Sequence, residues 1–189
     1  MNLPIGLTLT RIVAVPLLIL FLISSSRVHA LIAAAIFVAA SFTDWLDGVL
    51  ARRRNQVTTL GTLLDPIADK LLVAAALVSL LTIDKVAGWV VVIIVGRELA
   101  VTGLRAVAAG VGVIVPASRL AKWKTVGQYV AVTMLILEKG IVSPGFHLAA
   151  TGVLLAALAL TVVSAVDYFY RFFHKADYRA IVPEEERWS

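Results

Sequence analysis

The stretch Asp44-Trp-Leu-Asp47-Gly48-Val-Leu-Ala51-Arg52, followed after eight residues by Gly61-Thr-Leu-Leu-Asp65-Pro-Ile-Ala-Asp69, places four carboxylates in an otherwise largely apolar chain. Residues three or four apart share a helix face. Asp44 and Asp47 therefore line one face, and Asp65 and Asp69 line another. The polar run Arg52-Arg53-Arg54-Asn55-Gln56 between them reads as a turn, which lets the two helices run antiparallel with their acidic faces together. Four converging carboxylates stay ionised near lipid only if something positive balances them. Two divalent cations match that charge. Oxygen-only ligands select a hard ion, Mg²⁺ or Mn²⁺.

Of the 189 residues, 60% are hydrophobic and only 15% charged, with a mean hydropathy of +0.95. A soluble domain carries about a quarter charged residues. So little polar surface makes lipid the expected solvent. The absence of cysteine excludes disulfide and thiol chemistry and removes any hint of a zinc or redox site. A net charge of +5 suits anionic headgroups at a membrane surface better than nucleic acid here. The N-terminus lacks the basic region of a cleaved signal, and its first apolar run is long enough to span.

Six apolar stretches have the length that crosses ~30 Å of hydrocarbon. They run over about Pro4–Ile23, Ala30–Leu50, Leu63–Ile83, Val86–Val107, Arg119–Leu137 and His147–Phe169. The expectation is an all-α integral membrane bundle of six transmembrane helices, with a catalytic unit over 1–170 and a polar tail over 171–189. Lys and Arg placement sets the orientation. Arg52, Arg53, Arg54, Arg105, Arg119, Lys122, Lys124, Arg171, Lys175, Arg179 and Arg187 fall on one side, and Arg27, Lys85 and Lys139 on the other. Both termini and the acidic stretch are thus expected on the cytoplasmic side, in a bacterial inner membrane.

The acidic stretch resembles the signature of the CDP-alcohol phosphatidyltransferase family, Asp-x2-Asp-Gly-x2-Ala-Arg-x8-Gly-x3-Asp-x3-Asp, and matches its eight fixed residues across 26 positions. The resemblance implies a bundle with a cytoplasmic-side active site, where an acceptor hydroxyl displaces CMP from a CDP-linked lipid with divalent metal. It assigns the metals to Asp44, Asp47, Asp65 and Asp69, and makes Asp69 the general base. It gives Gly48 and Ala51 to the cytidine and pyrophosphate pocket, where a missing side chain permits close approach to the backbone. Taken alone, such small residues also simply permit helix packing. Arg52 is a candidate phosphate contact, and Gly61 a tight turn before the second acidic helix. The lead-in Asn2-Leu-Pro4-Ile-Gly-Leu-Thr8-Leu-Thr-Arg11 resembles the family's N-terminal motif, with Ile5 replacing an Asn. Asn2 and Thr8 would then reach the CDP-lipid, while Arg11 is open to a reading as a charge snorkelling to the interface.

Gly96-Arg97-Glu98, Leu104-Arg105 and Ala121-Lys122-Trp123-Lys124-Thr125-x-x-Gln128 resemble the branch whose acceptor is sn-glycerol 3-phosphate. Arg97, Arg105, Lys122 and Lys124 would hold the acceptor phosphate while its free hydroxyl faces Asp69. Arg97, deep in a span, needs a partner. Glu98 lies about 100° round the helix and is expected to meet a cation on a neighbouring helix instead. The favoured partners are CDP-diacylglycerol, sn-glycerol 3-phosphate, the bilayer and, by resemblance, a second copy in a homodimer. The competing acceptors are inositol phosphate, serine or a lipid. A cation transporter using the carboxylates as a relay is the alternative from another class.

Overall fold

The computed structural model describes residues 3–54, 59–110, 119–141 and 143–175; within these, the side chains of 3–8, 44–54, 59–66, 119, 121 and 174–175 lie outside the description. Among the described residues the chain forms six helices: α1 Leu3–Ile23, α2 Arg27–Arg54, α3 Thr59–Thr82, α4 Gly88–Gly110, α5 Arg119–Leu137 and α6 Pro144–Lys175. They are the six expected stretches, extended at most ends. Hydropathy stops at charge, but the backbone keeps its hydrogen bonds through it. Arg52–Arg54 are therefore helical, and the expected turn does not begin before residue 55. α3 likewise starts at Thr59, so Gly61 lies in its first turn and not in a turn before it. α6 runs past the boundary drawn at 170; residues 176–189 lie outside the described ones.

Three of the described helix ends have a plain local cause. The carbonyl of Ser26 accepts the Ala30 N–H and starts α2, and that of Ser143 accepts the His147 N–H at the head of α6. Pro144 takes the first position of α6, where its missing N–H costs nothing. α3 closes with Lys85 N–H on Leu80 O and Asp84 N–H on Leu81 O, the Schellman pattern. Asp84 supplies the left-handed residue, with φ 57°.

Packing follows the membrane rule that small residues let helices approach. Ala30, Ala33, Ala34, Phe37 and Ala40 form the buried stripe of α2 at helical spacing. Opposite stand Leu18 and Leu22 of α1, Leu72, Ala76, Leu77 and Leu80 of α3, and Val132, Leu135 and Ile136 of α5. A methyl placed on Gly127 would stand 3.4 Å from the Ala157 methyl, so the missing side chain lets α5 and α6 pack closely there. Gly103 and Gly110 lie within α4 with nothing within 4 Å of a methyl placed there. Large apolar side chains such as Val13, Leu20, Val92, Leu148 and Val166 point outward from three of the helices, each at least 60% exposed. Among the described residues, Pro144–Phe173 is the one helix long and apolar enough by itself to cross a bilayer, with shorter apolar runs at Leu9–Ile23 and Arg27–Thr43. Arg11 does not snorkel outward: it is 1% exposed, inside the bundle.

At the end of the bundle holding the 24–26, 83–87 and 138–143 connections, every lysine is engaged. Lys139 Nζ donates to Leu22 O at 2.6 Å and Ser24 O at 2.8 Å, capping the end of α1. Lys85 Nζ and His147 Nδ1 both meet Glu138 Oε1, at 2.7 and 2.9 Å. His29 joins the same end through Ser24 Oγ at 2.6 Å and an edge contact with Phe21. Burial pushes the Glu138 carboxyl up, but the bonds from Lys85 and His147 outweigh it and hold the group below the usual carboxylate range. Burial, and then the charge of Lys85, lowers Lys139. A depressed carboxyl stabilises the fold above its unfolded value of about 4.3 and loses that contribution as pH falls through the lower folded value. The melting temperature of the protein in detergent is therefore expected to drop as pH falls below about 4.3, more steeply than in Glu138→Gln. Thermal unfolding from pH 7 to pH 3 checks it; parallel curves for the two proteins would remove Glu138 as the cause.

Candidate active site

Towards the opposite end the helices part around a cavity of about 1020 Å³. Small-molecule pockets span about 300–1,000 Å³, so this one is large. α3 contributes Asp69 and Lys70; α4 contributes Arg97, Glu98 and Arg105; α5 contributes Lys122, Lys124 and Tyr129; α6 contributes Ser164 and Tyr168. Helical spacing explains the convergence. Arg97, Val101 and Arg105 follow one face of α4, and Lys122, Val126, Tyr129 and Thr133 one face of α5. α2 closes the cavity with Phe37, Val38, Ser41 and Phe42.

Arg97 is anchored on three sides. Its Nε donates to Thr161 O at 3.2 Å, Nη2 to Ser164 Oγ at 2.7 Å, and Nη1 to Glu98 Oε1 at 3.3 Å. The same Oε1 is ion-paired with Lys124 of α5. Glu98 thus meets the cation on a neighbouring helix that the sequence calls for, and the long guanidinium also curls round to reach it from the adjacent position. Gln128 Nε2 donates to Thr161 Oγ1 at 3.0 Å, and the Thr161 hydroxyl in turn donates to Ala157 O at 2.6 Å. This network ties α4, α5 and α6 together. Lys124 is a helical residue only 4% exposed.

Arg105 lies over the Tyr168 ring, 5.7 Å from its centroid, a cation–π contact. Tyr168, by default a lipid-facing or packing residue from sequence, is buried between α4 and α6 with Val101, Ala108 and Phe172. Its hydroxyl has no hydrogen-bond partner among the described residues. Tyr129 donates its phenol proton to Asp69 Oδ1, and its ring meets Phe37 edge-on, with centroids 6.0 Å apart.

Asp69, Arg97, Arg105, Lys122 and Lys124 thus share one cavity. Thr8 lies in α1; Asp44, Asp47, Gly48, Ala51 and Arg52 lie in α2; Gly61 and Asp65 lie in α3. The side chains of these eight, and Asn2 entirely, lie outside the described residues. Sequence reasoning missed Lys70, Tyr129, Ser164 and Tyr168. Lys70 carries a signal, a cation inside a span next to Asp69, whereas the tyrosines and the serine look like ordinary span residues. The donor chemistry fits a hard cation. Four aspartates fall on the last turns of α2 and the first half of α3, the chain has no cysteine, and His29 and His147 sit at the far end of the bundle.

The CDP-alcohol phosphatidyltransferase family model matches residues 1–163. The chain is 43% identical over 183 residues to a Bacillus subtilis protein named CDP-diacylglycerol–glycerol-3-phosphate 3-phosphatidyltransferase, covering 89% of this chain and 93% of that one. A Rickettsia bellii protein of the same name is 42% identical over 169 residues, with the same coverage. An Arabidopsis thaliana protein, CDP-diacylglycerol–glycerol-3-phosphate 3-phosphatidyltransferase 2, is 34% identical over 186 residues, covering 91% of this chain and 80% of that one.

The anchoring of Arg97 gives a test independent of any reaction. Arg97→Lys keeps the charge but cannot bond Thr161 O, Ser164 Oγ and Glu98 together. It is expected to cost about 2 kcal/mol, the scale of hydrogen bonds to a charged group. Equilibrium unfolding in mixed micelles reads the loss.

Proposed function

The chain belongs to the CDP-alcohol phosphatidyltransferase family, and we propose that the cavity joining Asp69 to Arg97, Arg105, Lys122 and Lys124 is where its acceptor binds and reacts. It is a transferase that moves the phosphatidyl group from CDP-diacylglycerol to sn-glycerol 3-phosphate, giving phosphatidylglycerophosphate and CMP. One observation carries the placement: a carboxylate lies in a single cavity with five cationic side chains, Lys70 among them. A dianionic phosphate suits such a surplus of cations, and an alcohol proton suits the carboxylate.

In the proposed reaction Arg105, Lys122 and Lys124 hold the acceptor phosphate, with Arg97 fixing the α4–α6 wall behind it. Their grip orients the free hydroxyl toward Asp69, replacing a bimolecular encounter with a held geometry. Asp69 takes the hydroxyl proton as the oxygen bonds to the β-phosphorus. The bond from that phosphorus to the bridging oxygen breaks, and CMP departs with the oxygen. Two divalent cations, Mg²⁺ or Mn²⁺, held by Asp44, Asp47, Asp65 and Asp69, would neutralise the pyrophosphate and the charge on departing CMP. Asn2, Thr8, Gly48, Ala51, Arg52 and Gly61 are proposed to receive the CDP-lipid.

All six helices are proposed to span the membrane, with 1–170 as the catalytic unit and 171–189 as a cytoplasmic tail. The grouping of Arg27, Lys85 and Lys139 around the far-end connections supports this orientation, because the positive-inside rule leaves that sparser end outside. A bacterial inner membrane and a homodimer complete the proposal; nucleic acid plays no part.

CMP release by the purified protein with CDP-diacylglycerol and Mg²⁺ is expected to require sn-glycerol 3-phosphate and to vanish in Asp69→Asn. Release only with another alcohol would keep the mechanism and overturn the acceptor. Cation flux in proteoliposomes without CMP release would replace the transferase by a transporter. Arg105→Ala and Lys122→Ala are each expected to raise the KM for glycerol 3-phosphate about 10-fold, leaving that for CDP-diacylglycerol within about twofold. An effect confined to CDP-diacylglycerol would move these residues to the nucleotide pocket.

A further inference from the structure

We propose that Tyr129 is a positioning residue for Asp69, its phenol holding one carboxylate oxygen so that the other is presented to the acceptor hydroxyl. The proposal rests on the reading of Asp69 as the base. Tyr129 on α5 and Asp69 on α3 are 60 residues apart, and the phenol donates to Oδ1 across the cavity. Among the described residues this is the one hydrogen bond that Asp69 makes. Its second oxygen, Oδ2, is left for the incoming proton.

The surroundings explain why a neutral donor is needed. Five cationic side chains line the same cavity, with Lys70 next in sequence. A carboxylate free to rotate would turn toward one of them, and a salt bridge would both misdirect its lone pairs and weaken it as a base. A phenol fixes the carboxylate while adding no positive charge. The phenol is itself braced. Its ring meets Phe37 of α2 edge-on, with planes at 86°, and Phe37 is fully buried in the main core. Three helices thereby determine where one carboxylate points: α2 through Phe37, α5 through Tyr129 and α3 through Asp69.

Tyr129→Phe keeps the ring and removes only the donor. It is expected to lower kcat about 10- to 100-fold, the scale set by small misplacements of a reacting group. The KM values for both substrates, CDP-diacylglycerol binding and the melting temperature should stay near wild type. Phe37→Leu loosens the brace and should lower kcat by a smaller factor with KM unmoved, so a misfolded Phe variant still leaves a decisive measurement. Wild-type kcat in folded Tyr129→Phe, or in Phe37→Leu where that alone folds, overturns the proposal while Asp69→Asn remains inactive. A raised KM for glycerol 3-phosphate at unchanged kcat overturns it in favour of acceptor binding. Full activity in Asp69→Asn removes the base, and the proposal falls with the reading beneath it.

Discussion

Lys124 and Arg97 carry charge into the buried half of an apolar bundle, and one carboxylate oxygen, Glu98 Oε1, answers both. A buried charge is tolerable only when it is paired and hydrogen-bonded. The rest of the site follows from how that demand is met. Arg97 takes its remaining bonds from Thr161 O and Ser164 Oγ of α6, and Gln128 takes Thr161 Oγ1. α4, α5 and α6 are thus held in register by polar contacts where lipid-like side chains would slide. One carboxylate shared by two cations still leaves positive charge over. The fold meets that surplus with an open cavity and keeps the tightly packed core to the other half of the bundle.

The two ends of the bundle treat charge in opposite ways. At the far end each lysine is committed, Lys139 to two backbone carbonyls and Lys85 to Glu138, and three interhelical connections are tied together. At the cavity end Arg105 and Lys122 have no carboxylate partner among the described residues; Arg105 rests on the Tyr168 ring. Cations already spent on the backbone stabilise the fold. Cations without a carboxylate partner suit a ligand's phosphate, and that difference supports placing the proposed acceptor site at the cavity end.

The helices were legible because long apolar runs leave few alternatives, but their ends were not. Arg52–Arg54 and Thr59–Leu60 were assigned to a connection by polarity, yet charged and polar residues keep their helical hydrogen bonds once a membrane-length helix has nucleated. The cationic side of the site was legible through Arg97, Arg105, Lys122 and Lys124, since charge inside an apolar chain always asks for a reason. Tyr129 and Tyr168 gave no such signal. A tyrosine in a span looks like packing, and only the tertiary fold brings Tyr129 to a carboxylate 60 residues away. Glu98 shows the limit of helix geometry as a guide: the 100° offset pointed to a cation on a neighbouring helix, which is Lys124, but it underestimated the reach of a guanidinium.

On the proposed placement, the cavity wall lets one site serve a lipid and a water-soluble acceptor. Its cations come from α3, α4 and α5, whereas Val38 and Phe42 of α2 and Val126 and Val130 of α5 line it with apolar side chains that are themselves exposed on the outside of the bundle. A substrate lying along that wall can keep acyl chains against the exposed α2–α5 surface while its phosphates reach the charged side. Acyl chains left in lipid avoid the transfer cost of about 0.8 kcal/mol per CH₂ that a fully aqueous site would impose. The acceptor has no such tail and needs only the cationic wall. On this geometry the α2–α5 flank divides the two substrates, and Tyr129, on α5 with its ring against Phe37 and its hydroxyl on Asp69, stands at the boundary where they would meet.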